Sequence, residues 1–153
     1  MRRIVLRRTI AAPSEDVFVF FVPQRMPYWY GREMQSCLEM QSGASDFALG
    51  QKVRISGQLG GKTFSHTAVI TAFENGRLLE WRFQDSYGVR GKERWELRRT
   101  ESAAPQTEIH FLCEYEMPGL FARTIDALLT RHALARRNRD YLERLARLAE
   151  RRA

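Results

Sequence analysis

TEIHFLCEYEMPGLFARTIDALLTRHALARRNRDYLERLARLAE, residues 107–150, changes its hydrophobic period once, and that change decides the fold. At its start Ile109, Phe111, Cys113 and Tyr115 alternate with Glu108, His110, Leu112 and Glu114, the period of two of a strand with one apolar face. Pro118-Gly119 ends that strand. From there to about Glu150 the chain is rich in Ala, Leu and Arg and has no further Gly or Pro, which predicts one long helix. Phe121, Ile125, Leu128, Leu142 and Leu145 mark its apolar stripe, and His132, Ala135 and Asn138 fill a gap in mid-helix. A strand and a helix that are each apolar on one side must bury those sides against something.

Upstream, the period of two recurs. Trp95 and Leu97 alternate with Arg94, Glu96 and Arg98 within 88–99, and Leu79, Trp81 and Phe83 with Glu80, Arg82 and Gln84. Phe64, His66, Ala68 and Ile70 alternate with Ser65, Thr67, Val69 and Thr71, and Val53, Ile55 and Gly57 with Lys52, Arg54 and Ser56. Met34, Ser36, Leu38 and Met40 mark a candidate strand over 34–41. Turn chemistry separates these runs. Glu74-Asn75-Gly76-Arg77 suits the positive φ of a type I′ turn, and Leu59-Gly60-Gly61-Lys62 is a second tight hairpin. Strands joined in this way are antiparallel.

Residues 2–10 are a further strand, stopped by Ala11-Ala12-Pro13. Ser14, Glu15 and Asp16 ahead of Val17, Phe20 and Phe21 start a short helix. Pro23 and Pro27 reduce the next piece to a helical turn or loop carrying Tyr28, Trp29 and Tyr30. The chain therefore reads as one α+β domain over 1–153. Its six- to seven-stranded antiparallel sheet is covered by the long helix, and a strongly curved sheet wrapped on a helix leaves room for a cavity.

Composition agrees with a globular chain. Hydrophobic residues are 44 % and charged residues 28 % of 153, which excludes a disordered or collagen-like chain. No apolar run approaches the ~20 residues of a membrane helix, and Ile4-Val5-Leu6 is too short for a signal-peptide core. The expected compartment is the cytoplasm. There Cys37 and Cys113, which form no metal-binding spacing, are expected to be reduced core residues. The net charge is +7, concentrated in Arg2, Arg3, Arg7, Arg8 and nine arginines after Pro118. Those in the helix are interleaved with acids rather than aligned into a strip. This argues for a solvated face over specific nucleic-acid binding and leaves a weak contact with an anionic membrane surface open.

Five segments in this order carry a resemblance. They are Ile10-Ala11-Ala12-Pro13-Ser14-Glu15-Asp16-Val17-Phe18; Pro27-Tyr28-Trp29; residues 68–74 with Leu79-Glu80-Trp81; Trp95-Glu96-Leu97 ahead of Thr107; and Tyr115-Glu116-Met117-Pro118-Gly119. Together they resemble the START-like, helix-grip (SRPBCC) superfamily, and in particular its small bacterial polyketide cyclase/dehydrase-like members. The resemblance spans essentially the whole chain. It implies a curved sheet gripping the C-terminal helix around an apolar cavity that holds a lipid, polyketide, quinone or similar molecule. No phosphate-loop, dinucleotide or metal-ligand motif is present, so no cofactor and no metal are expected, and the resemblance does not decide between a binder and an enzyme.

Two residues are candidates for acid–base chemistry. His66 shares a face with Phe64, Ala68 and Ile70; it either points into the cavity or is a hydrogen-bonded core histidine. Glu93 shares the face of Trp95 and Leu97, where a carboxylate must be paired or protonated; His66 or Arg82 are possible partners. Alternatively, Gly91 marks a bulge that turns Glu93 to water. The expected cavity wall is Trp29, Phe64, His66, Trp81, Phe83, Tyr87, Trp95, Phe111, Tyr115, Phe121, Ile125, Leu128 and His132, with Tyr115 joining His66 and Glu93 as orienting groups. Tyr28, Trp29 and Tyr30 either gate the mouth or plug one end of the core, and Phe47 invites the same pair of readings. His110 is expected in solvent. The functions that follow are binding of a hydrophobic or amphipathic small molecule, a cyclase or dehydratase using His66 or Glu93, or a partner contact through the basic helix.

Overall fold

The computed structural model describes residues 1–59, 61–85, 88–117, 119 and 125–152. Seven strands, β1 (Arg2–Ile10), β2 (Cys37–Met40), β3 (Lys52–Leu59), β4 (Lys62–Glu74), β5 (Leu78–Gln84), β6 (Arg90–Arg99) and β7 (Thr107–Glu116), form one curved antiparallel sheet. Their order is β1-β7-β6-β5-β4-β3-β2, so β2 to β7 follow the chain as a meander and β1 closes onto its last strand. Two helices, α1 (Ser14–Phe18) and α2 (Ile125–Arg152), and two 3₁₀ turns, Met26–Tyr28 and Arg32–Met34, complete the fold.

The long helix covers the inner face of the sheet. Tyr141, Leu142, Leu145, Ala146 and Ala149 are buried, a stripe at helical spacing. Polar contacts fix the same end: Arg8 meets Glu143 at 3.0 Å, the Ala11 N–H donates to Glu150 at 3.1 Å, and Arg152 lies 3.3 Å from Asp16. These pairs are partly solvated and worth little each, but they set where the helix lies on β1 and α1.

Several local expectations are corrected. Of 34–41 only Cys37–Met40 pairs with β3, because the chain turns through left-handed residues at Gly31 and Gln35 just before it. The 74–77 turn is closed by Arg77 N–H donating to Glu74 O at 3.0 Å. Positive φ occurs at Gly76 alone, whereas a type I′ turn would require it at Asn75 as well. The bulge lies in β4, where Thr71 is the extra residue between the pairs Ile70↔Trp81 and Ala72↔Glu80. It keeps both Ile70 and Phe73 on the inner side of a 13-residue strand and bends it. At Gly91 the pairing runs unbroken on both sides, so Glu93 stays on the inner face. Cys37 is exposed rather than in the core; Cys113 is buried. His110 is half-buried on the outer face against Glu108 instead of solvated.

Candidate functional site

The inner face of the sheet is filled unevenly. At one end α1 and the segment after it deliver Phe18, Phe21 and Trp29 onto the sheet. Trp29 is fully buried, donates its indole N–H to Phe20 O at 3.0 Å, and meets Trp95 edge-on at 6.1 Å. Trp81 and Trp95 meet edge-on at 5.1 Å, and Phe111 leans on Trp95 at 5.5 Å. This cluster is solid. Trp29, Trp81, Trp95 and Phe111 are therefore core beneath the cavity, not its lining, because the aromatic segment of 18–30 occupies the space they would otherwise face. Phe47 belongs to the same core, against Trp81 at 6.1 Å, and Tyr28 is exposed.

At the other end no such segment intrudes among the described residues, which enclose a cavity of about 350 Å³ between the sheet and α2. The sheet supplies Phe64 and His66 from β4, Phe83 from β5, Glu93 from β6, and Cys113 and Tyr115 from β7. The helix supplies Leu134, Arg137, Asn138 and Tyr141, the Arg32–Met34 turn supplies Met34, and the link between the two 3₁₀ turns supplies Tyr30. Lys62, Thr63, Asp85 and Val89 stand at the hairpin ends. Two further hollows, near 14–22 and the 75–77 turn, contain no buried ionisable group among the described residues.

Of the expected wall, Phe64, His66, Phe83 and Tyr115 face this cavity. His132 does not: it is exposed. It precedes Asn138 by six residues, which at 3.6 per turn sets the two side chains about 120° apart, and Asn138 is the one on the inner side. Tyr87 and Phe121 lie outside the described residues, as do the side chains of Ile125 and Leu128.

Glu93 is the chemical centre of the site. It is only 8 % exposed, and the partners foreseen for it, His66 and Arg82, are not the ones it has. Its Oε1 accepts from the Tyr30 hydroxyl at 2.8 Å and from the Trp81 indole N–H at 3.2 Å. Burial pushes its carboxyl up to about 6, against the opposing pull of those two donors and of Arg137. Tyr30 is driven well above its ordinary value by burial and then by Glu93. His66 stacks on Phe64 at 5.9 Å, and burial lowers its proton affinity, with Asp85 acting in the other direction. The Cys113 thiol is raised by burial and by Glu93 and Glu114.

A second carboxylate had no signal in the sequence. Glu33, on the Arg32–Met34 turn, accepts from the Tyr141 hydroxyl at 2.6 Å and from Arg144 at 3.1 Å, with Arg137 at 3.9 Å. It ties that turn to α2 beside the cavity. Tyr141 in turn lies against Tyr30, ring centroids 5.1 Å apart. Among the described residues no cluster of His, Cys, Asp or Glu is placed to hold a metal, and no helix is long and apolar enough to cross a membrane.

The family model described as polyketide cyclase / dehydrase and lipid transport matches residues 1–150. No protein of curated function matches the chain. Among solved structures, protein MLL2253 from Mesorhizobium loti aligns with a TM-score of 0.69 at 16 % identity, covering 98 % of each chain. The ginseng major latex-like protein 151 from Panax ginseng aligns with a TM-score of 0.67 at 12 % identity, over 99 % of this chain and 96 % of that one. DynU16, from the dynemicin biosynthetic locus, aligns with a TM-score of 0.64 at 19 % identity over 97 % of this chain and 47 % of its own. At these identities the likeness is one of fold.

Proposed function

Because the chain belongs to the polyketide cyclase/dehydrase and lipid-transport family, we propose that it binds a hydrophobic or amphipathic small molecule in the cavity between the sheet and α2. The observation that carries this reading is the 350 Å³ space itself, walled by Phe64, Phe83, Val89 and Leu134 and holding a few polar groups. That volume is in the range of small-molecule sites, and apolar surface buried there contributes about 25 cal/mol per Å². Native mass spectrometry of the purified protein, followed by organic extraction, tests it. The expected result is a co-purifying apolar compound, or uptake of the neutral fluorescent probe phenylnaphthylamine that Leu134→Trp abolishes by filling the space. A protein that arrives empty and takes up no probe refutes the reading.

One observation favours a second reading, acid–base catalysis on the bound molecule. A carboxyl with a pKa of about 6 both gives and takes a proton near neutral pH, and Glu93 has that value inside the cavity. In this reading Glu93→Gln, or His66→Ala if the imidazole is the acting group, abolishes turnover while binding persists. The contact through the basic helix has less support, since Arg137, Arg144 and Arg152 are drawn to Glu33 and Asp16 of the same molecule.

A further inference from the structure

The polar groups in the cavity wall are more specific than an apolar ligand needs. Glu93 Oε1 is occupied by Tyr30 and Trp81, while among the described residues no hydrogen bond reaches Oε2. Tyr115 is 1 % exposed, and its buried hydroxyl has no hydrogen-bond partner among the described residues. A buried hydroxyl without a partner has given up its bond to water, and a bound molecule that reached it would restore that bond. The two groups are neighbours by register. Glu93 pairs with Cys113 and Gly91 with Tyr115, so Glu93 and Tyr115 are diagonal on adjacent strands and face the same cavity.

Their chemistries are complementary to one kind of ligand group. An ionised carboxylate oxygen only accepts, and a phenol has a hydrogen to give. A group that donates one hydrogen bond and receives another at the same atom satisfies both. We propose that the cavity selects a neutral apolar molecule bearing a hydroxyl (an alcohol, phenol or enol), whose hydrogen is accepted by Glu93 Oε2 and whose oxygen receives the Tyr115 hydroxyl. This rests on the cavity-binding reading above. A ligand carboxylate fits poorly at the same point. It has no hydrogen for Oε2, it stands against a second buried negative charge, and Arg137 is already shared between Glu33 and Glu93. A plain hydrocarbon leaves both wall groups unpartnered.

Three probes of one shape separate these cases: naphthalene, β-naphthol and β-naphthoate, each competed against phenylnaphthylamine at neutral pH. The expected order is β-naphthol about tenfold tighter than naphthalene, with β-naphthoate weakest. The readout in the variants is the ratio of naphthol to naphthalene affinity, since a loosened cavity weakens both. Glu93→Gln and, separately, Tyr115→Phe should each bring that ratio down to within about threefold of one, and Glu93→Gln should admit β-naphthoate. If naphthalene and β-naphthol bind alike, if β-naphthoate binds best, or if both variants keep the wild-type ratio, the proposal is overturned while the cavity reading stands. If none of the probes, phenylnaphthylamine included, enters the protein, both fall together.

Discussion

Tyr30 donates its hydroxyl to Oε1 of Glu93 at 2.8 Å, across 63 positions of sequence. The bond joins the aromatic segment before β2 to the middle of β6, and it lets a carboxylate sit on the inner face of a sheet between Gly91 and Trp95. Two donors on one oxygen offset part of the cost of burial but not all of it, which is why the carboxyl keeps a raised affinity for its proton.

That residual cost makes stability depend on pH. The folded carboxyl titrates at about 6, above its ordinary 4.5. Between those values the folded protein holds a proton that the unfolded chain has released. The stabilisation is complete below 4.5, declines as the pH rises towards 6, and is absent above. At 1.36 kcal/mol per unit the change is about 2 kcal/mol. Other carboxylates titrate in the opposite sense, so the measurement is a difference: urea unfolding of wild type and Glu93→Gln at about pH 4 and about pH 8. The wild type should lose about 2 kcal/mol relative to the variant on going to the higher pH. A difference that does not move with pH removes this account of the site.

Gly91 is required by contact, not by backbone angle. A Cβ there would lie 2.0 Å from Glu114 O and 2.9 Å from the Tyr115 Cα on β7. Backbone of the neighbouring strand cannot swing aside as the end of a side chain can. Gly91→Ala should therefore cost about 3 kcal/mol or more, by overpacking at the junction of β6 and β7. Chemical denaturation checks it; a loss below about 1 kcal/mol would mean that the strands part easily at this point, and that Tyr115 is not held where the cavity wall needs it.

Much of this fold is legible in short-range pattern. The alternation Glu93, Trp95, Leu97 places Glu93 inward, and the change of period after Tyr115 gives the covering helix. What pattern does not reveal is which distant group answers an inward charge. Trp81 meets Glu93 as its direct cross-strand partner, but Tyr30 reaches it only because the turn at 26–31 folds back over β5 and β6, and nothing local at Tyr30 signals that. Glu33 is hidden for the same reason: on a short turn with no periodicity, a carboxylate reads as solvated until Tyr141 and Arg144 are brought to it by the helix. The opposite error arises at His132, where an apolar stripe with a gap permits more than one line along the helix, and packing selects Leu134, Asn138 and Tyr141. The Thr71 bulge escapes because Thr71-Ala72-Phe73 contains no glycine or proline to announce it.

The two thiols should differ sharply in reactivity. Cys113 is buried in the cavity wall, and burial with Glu93 and Glu114 keeps it protonated. Cys37 is exposed on β2, slowed only by partial burial and its bond to Glu39. Native protein treated with Ellman's reagent should release one equivalent of thiolate at least about a hundredfold faster than the second, and Cys37→Ser should abolish the fast phase. If both thiols react at one rate, the cavity wall opens to solvent much more readily than this packing allows.

The contact between Glu33 and Tyr141 should govern how quickly a ligand leaves. Burial opposes ionisation of Glu33, but the bonds from Tyr141 and Arg144 and the charge of Arg137 outweigh it and hold the carboxyl below its ordinary range. The stabilisation it brings is present above pH ~4.5 and lost as the pH falls through the lowered folded value. The group is more than a third exposed, so solvent screens much of it, and Tyr141→Phe should cost only about 1 kcal/mol. The larger effect is local. The Arg32–Met34 turn carries Met34 into the cavity wall, and the strand that follows is only four residues long, so its tie to α2 is what keeps that side closed. Removing the hydroxyl should speed dissociation of phenylnaphthylamine several-fold in stopped-flow mixing at neutral pH, with the acceleration shrinking in acid as Glu33 protonates. An unchanged dissociation rate would place the exit elsewhere along the cavity wall.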